Sequence, residues 1–98
     1  MLTVQQIKDT VTDYFKDKPV RRVYLFGSYA RGEANEKSDI DILFSLAENT
    51  RINYFGLAQY LVDLESRFLN KVDMVEEEHI YPRLKKYIDR DKILLFSK

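Results

Sequence analysis

Cysteine is absent from the chain, tryptophan is absent too, and the only histidine is His79. Without thiols there is no disulfide framework and no thiolate metal site, so any metal must take oxygen ligands. A reducing compartment is thereby allowed. No run approaches the roughly 18 consecutive apolar residues of a membrane span, and Met1–Asp9 lacks the basic segment followed by an apolar one that marks a secretory leader. A cytoplasmic location is the expectation. Charge of one sign is also missing in excess: 16 Lys and Arg balance 16 Asp and Glu. That balance gives no electrostatic reason to expect a long nucleic-acid duplex as partner, while a small charged ligand stays compatible. What is present is a hydrophobic fraction of 45% and 13 aromatics, seven Tyr and six Phe, in 98 residues. This is the profile of one small folded domain over residues 1–98, with room for one core and one site.

Thr3 and Gln6 have capping-box spacing, and Val4, Ile7, Val11, Tyr14 and Phe15 follow at helical intervals, so a helix is predicted to about Asp17, before Lys18-Pro19. Val20–Phe26 reads as a strand, Tyr29–Glu33 as a single helical turn closed by Gly32, and Asp39–Ser45 as a second strand. Leu57, Leu61, Leu64 and Phe68 mark a long amphipathic helix from about Asn53, with Asn70 placed to cap it in the left-handed conformation. Val72–Glu76 is a third strand. Glu76–Glu78 reads as a solvated acidic run leading to a last helix that starts near Pro82, and Ile93–Phe96 has the composition of a short terminal strand. The fold class is α+β: a small mixed sheet packed with helices, in the order α-β-α-β-α-β-α.

Chemistry concentrates in three places. Residues i and i+2 of a strand face the same way, with Cα atoms about 6 to 7 Å apart, so Asp39 and Asp41 present two carboxylates on one face. An unpaired ionised carboxylate in an apolar strand costs several kcal/mol, roughly, and a cation is the simple compensation. Mg²⁺ suits the role, because it uses one or two carboxylates and takes phosphates and water for the rest. Asp73 lies inside another strand. If that strand neighbours the second one, three carboxylates converge and can hold two metals about 3.5 to 4 Å apart, the arrangement of in-line phosphoryl displacement. A turn cap beside Ser38 would equally account for Asp39, and a surface position on an edge strand for Asp73. Asp41, between Ile40 and Ile42, has no local capping role. Gly27-Ser28 is a common turn dipeptide; where a helical turn starts it also lets a phosphate approach the backbone, with the Ser28 hydroxyl adding a hydrogen bond. Arg31 has the choice of phosphate, Glu33 or an aspartate. His79, alone in an acidic loop, reads as a surface residue.

Taken together and in order, Gly27-Ser28-Tyr29-Ala30-Arg31-Gly32, Ser38-Asp39-Ile40-Asp41-Ile42 and Val72-Asp73-Met74-Val75 resemble the three-part signature of the minimal nucleotidyltransferases of the DNA polymerase beta superfamily. The resemblance spans nearly the whole chain. It implies a nucleotidyltransferase that uses ATP and Mg²⁺, two ions in all, with Asp39, Asp41 and Asp73 as catalytic metal ligands and Asp73 also as base toward the acceptor hydroxyl. Gly27 and Ser28 fall on the phosphate-holding positions, and Arg31 on the motif's arginine. Ile42 and Met74 stand where the pattern often has leucine, away from the chemistry. Chains of this size are similar to antitoxins paired with HEPN ribonuclease toxins, in which AMP is transferred to a tyrosine hydroxyl of the toxin. Two other readings stand beside this one: an antitoxin that masks its partner by binding alone, through exposed Tyr and Phe, and the catalytic subunit of an aminoglycoside-type, small-molecule nucleotidyltransferase. Neither the preferred nucleotide nor the oligomeric state is legible.

Overall fold

The computed structural model describes all of residues 1–98. Thr3 Oγ1 accepts from the Gln6 amide at 3.1 Å and Gln6 Oε1 accepts from the Thr3 amide at 2.8 Å, the reciprocal pair expected from the Thr-x-x-Gln spacing. Helix α1 then runs over Val4–Phe15. It ends two residues short of Asp17 because the Lys18 amide turns back to the Phe15 carbonyl (3.1 Å), closing the chain into the strand ahead of it.

Strand β1 is Val20–Phe26, helix α2 Gly27–Arg31, strand β2 Ile40–Leu46, helix α3 Tyr54–Phe68, strand β3 Val72–Glu76, helix α4 Pro82–Asp91 and strand β4 Ile93–Ser97. The sheet order is β3-β2-β1-β4. β1 pairs antiparallel with both β2 and β4, whereas β2 and β3 run parallel, joined by the α3 crossover. The sheet is therefore mixed, and β4 adds an eighth element on the edge beside β1. No helix is long and apolar enough to cross a membrane.

Alternation along β2 sorts its residues between two faces. Ile40, Ile42 and Phe44 join Val23 and Leu25 of β1, Val72 of β3 and Phe96 of β4 in the core, under Ile7, Val11 and Phe15 of α1 and Leu64 and Phe68 of α3. Phe15 packs edge-to-face on Tyr14 and Tyr60, with ring centroids 4.9 and 5.5 Å away, and the Tyr14 hydroxyl donates to Asp63 across the α1–α3 seam at 2.5 Å. Asp41, Leu43 and Ser45 point to the opposite face.

The end of α3 departs from expectation. Leu69, not Asn70, takes the left-handed conformation (φ 52°, ψ 43°), with its amide bonded to the Glu65 carbonyl at 2.9 Å. Phe68 is the last side chain the core can bury, so the helix closes immediately after it. Asn70 instead donates its side-chain amide to the Tyr29 hydroxyl at 3.4 Å, linking the segment to α2.

Candidate active site

β1 ends at Phe26, which lies opposite Asp41 in the β1–β2 register. Gly27 follows with φ +75°, and a Cβ at that position would lie 2.0 Å from Oδ2 of Asp41. Position 27 must therefore be glycine on two grounds, the left-handed backbone and the carboxylate occupying the space of a side chain. α2 begins at Gly27, two residues before the predicted start at Tyr29, and stops at Arg31; Gly32, also left-handed (φ 72°), closes it by donating to the Ser28 and Tyr29 carbonyls. Ser28 is half-buried in the first turn, beside this contact.

Asp41 of β2 is the direct register partner of Asp73 on β3, both on the face turned away from the core. Here the two strands are neighbours, and parallel, which brings together two residues 32 positions apart in the chain. Asp39 sits just ahead of the strand, because pairing with the β3 segment starts at Ile40, whose amide bonds the Lys71 carbonyl at 2.9 Å. The turn before it is closed by Ser38, whose hydroxyl accepts from the Asn35 amide at 2.9 Å, so Asp39 is not needed as a cap. Asp41 is half-buried and Asp73 exposed. Burial first, then the Asp73 charge, a hydrogen bond shared with Asp73 and the Asp39 charge push the Asp41 carboxyl up to about 6; Arg31 alone opposes them.

The trio thus forms a concentration of negative charge with one cation nearby. No three carboxylate or imidazole groups stand close enough to make a ready-built metal cage. The donor set fits a hard cation held jointly with substrate phosphates, since Mg²⁺ uses few protein ligands and needs the charge that Asp41 resists carrying alone. Arg31 Nε lies 3.3 Å from Glu33, so the ion pair is one of its roles, while its field reaches Asp41 as well.

A cavity of about 320 Å³ opens beside Gly27 and Arg31, and its other wall is Tyr87, Arg90 and Asp91 of α4. Tyr87 and Arg90 were not picked out in the sequence reading; their i, i+3 spacing on one helix face was the available signal. A larger depression of about 600 Å³ lies at the far end of β2, among Arg21, Leu46, Arg51 and Glu78, and contains none of the three aspartates. Near it, Glu76–Glu78 is not a simply solvated run. Glu77 pairs with Arg22 at 3.2 Å, Glu78 accepts from the buried Ser45 hydroxyl at 2.9 Å, and Glu76 lies 2.6 Å from the exposed His79. These contacts hold the short 3₁₀ turn Glu77–His79 against the sheet, which the run of like charge concealed.

Comparison with known proteins identifies the family and the fold. Residues 5–98 match the family described as Polymerase beta, Nucleotidyltransferase. The chain is 41% identical over 101 residues to MJ1379 of Methanocaldococcus jannaschii, a candidate protein adenylyltransferase, covering 95% of this chain and 98% of that one. It is 33% identical over 98 residues to the protein adenylyltransferase MntA of Thermococcus cleftensis, covering 95% and 96%. Among solved structures, a candidate minimal nucleotidyltransferase superposes with a TM-score of 0.76 at 30% identity over 94% of this chain and 95% of that one. An AMPylated HEPN toxin in complex with its MNT antitoxin, from Shewanella oneidensis, contains the same fold, with a TM-score of 0.74 at 19% identity over 98% of this chain and 74% of that one. With the family matched over almost its full length and the glycine-backed aspartate pair in register, the chain is a nucleotidyltransferase of the polymerase beta family.

Proposed function

We propose that this enzyme transfers AMP from ATP to a tyrosine hydroxyl of a HEPN-type ribonuclease toxin, and so acts as the toxin's antitoxin, with Mg²⁺ as cofactor. Support for the acceptor class comes from the relatives named protein adenylyltransferase and from the AMPylated toxin in the structural neighbour. The observation that carries the reading is the register pairing of Asp41 with Asp73, with the Asp41 carboxylate seated against Gly27.

In the proposed reaction the acceptor oxygen forms a bond to the α-phosphorus, the bond from that phosphorus to the β-phosphate oxygen breaks, and pyrophosphate leaves. Asp73, the exposed member of the trio, receives the acceptor proton; its position at the solvent edge lets a protein hydroxyl reach it. Asp39, Asp41 and Asp73 would hold the Mg²⁺, two ions in the full site, and the bound metal would neutralise charge developing on the phosphates. Gly27 and Ser28 hold the β- and γ-phosphates by close backbone approach and a hydroxyl hydrogen bond. Asp41, held against Gly27 and in register with Asp73, would supply the central carboxylate of that metal site.

One observation favours the masking reading: Tyr54 and Phe55 at the start of α3 are 79% and 80% exposed, as a contact surface would require. Co-expression with a HEPN partner separates the two. Intact-mass measurement is expected to find the partner heavier by one or more AMP units with the wild-type enzyme and unmodified with Asp41→Asn. An inhibited but unmodified partner in the wild-type case would replace transfer with masking.

A further inference from the structure

None of the ten residues of α4 is buried, and Leu84 and Tyr87 are each about half exposed. Most helices in proteins are held by an apolar face packed on the body. α4 lacks such a face, yet it lies against α2, and the space enclosed between them is the cavity of about 320 Å³. Its α2 wall is Gly27 and Arg31, and Gly27 backs directly on the Asp41 carboxylate. Its α4 wall carries a second arginine, Arg90, so two guanidinium-bearing residues line one cavity. Arg90 Nε is 3.5 Å from Asp91 Oδ1, a loose pairing, and its Cζ lies 5.7 Å from the Tyr87 ring centre. The side chain is 69% exposed, so its remaining N–H donors can turn into the cavity.

We propose that Arg90 of α4 joins Arg31 in binding the terminal phosphates of the nucleoside triphosphate, and that Tyr87 steadies the Arg90 guanidinium. This rests on the nucleotidyltransferase site described above and extends it to α4. Two planar guanidinium groups lining one small cavity suit the oxygens of a phosphate chain, which each can grip with parallel N–H donors. The volume is at the lower end of the range for small-molecule pockets, sufficient for the phosphate tail while ribose and base lie outside it. Asp91 limits the positive field of the cavity and keeps Arg90 close to the α4 surface when no ligand is bound.

The test is equilibrium titration of the isolated enzyme, in Mg²⁺, with ATP and separately with inorganic tripolyphosphate. Arg90→Gln is expected to weaken both by about tenfold, the usual loss for a charged hydrogen bond to phosphate. Lys86→Gln, which removes a neighbouring α4 cation that also lies over Tyr87 but does not line the cavity, should bind both within about twofold of wild type. Arg90 is exposed, so its replacement leaves the fold intact, as an unchanged melting temperature will show. Equal binding by wild type and Arg90→Gln overturns the inference and leaves the proposed function standing. An equal loss in Lys86→Gln, or a loss for ATP without one for tripolyphosphate, also overturns it, the first by showing a general charge effect and the second a contact to base or ribose. Wild-type enzyme that binds no Mg-ATP at all overturns the proposed function along with it.

Discussion

The two faces of β2 are built from alternate residues of one seven-residue strand, and they obey different rules. Ile40, Ile42 and Phe44 are fully buried under α1 and α3, each held by many weak contacts that tolerate no polar group. Asp41, one residue away from two of them, is half-buried beside two other carboxylates and carries a charge that its surroundings disfavour. On the first face every residue lowers the free energy of the fold. On the second, Leu43 and Ser45 are buried as well, and the destabilising cluster is confined to the Asp41 end, its cost offset by the core behind it. A candidate site of this kind fits on so small a sheet because a strand separates packing from exposed chemistry by a single residue.

Crossing from one face to the other should change what a substitution does. Phe44→Ala, on the core face, is expected to cost about 3 to 5 kcal/mol, a large part of the stability of a domain this size, and chemical denaturation will measure it. Gly27→Ala, at the boundary, forces a Cβ to within 2.0 Å of the Asp41 carboxylate and strains a left-handed backbone. It is expected to cost about 1 to 3 kcal/mol and to reduce nucleotide transfer more than it reduces folding. A variant of full activity would detach Gly27 from the site.

At Asp41 the sign reverses. The Asp41 carboxyl is raised from 3.8 to about 6 in the folded protein, so the folded state disfavours its ionised form. Its contribution to stability is present below the unfolded value and is lost as pH rises through the folded one. Asp41→Asn should therefore melt several degrees above wild type at pH 8, with the gap shrinking as pH falls from the folded value of about 6 toward the unfolded value of 3.8. Added Mg²⁺ should narrow the gap at pH 8 by stabilising wild type alone. The smallest effect belongs to Leu69, which is 90% exposed and held left-handed at φ 52°. Leu69→Gly relieves that conformation and is expected to add up to about 1 kcal/mol in the same denaturation experiment, without touching transfer.

Legibility follows the same division. β1 and β3 span Val20–Phe26 and Val72–Glu76, as the β-branched runs and their flanking Pro, Gly and Asn indicated. The α1 cap and the core faces of α1 and α3 were equally readable, because periodicity and capping act between residues close in sequence. Asp39, Asp41 and Asp73 stood out individually as charges in or beside apolar strands. Their joint meaning depended on β3 lying parallel beside β2, a choice made by packing across the α3 crossover and invisible to local pattern. The exchange of Leu69 for Asn70 as helix cap has the same origin, since the burial of Phe68 outweighed the conformational preference of asparagine. Glu77 and Glu78 looked solvated because their partners, Arg22 and Ser45, are 55 and 33 residues away. For Tyr87 and Arg90 the sequence offers only their i, i+3 spacing on one helix face, and the placement of α4 against α2 is what brings them to Gly27.

The decisive measurement is label transfer with ATP labelled either at the α- or at the γ-phosphate, using wild-type enzyme, Asp41→Asn and the HEPN partner in the presence of Mg²⁺. Wild type is expected to move α-label onto the partner, no γ-label, and nothing in Asp41→Asn. Transfer of γ-label, or undiminished α-transfer by Asp41→Asn, would contradict the assignment of the paired aspartates to nucleotidyl transfer.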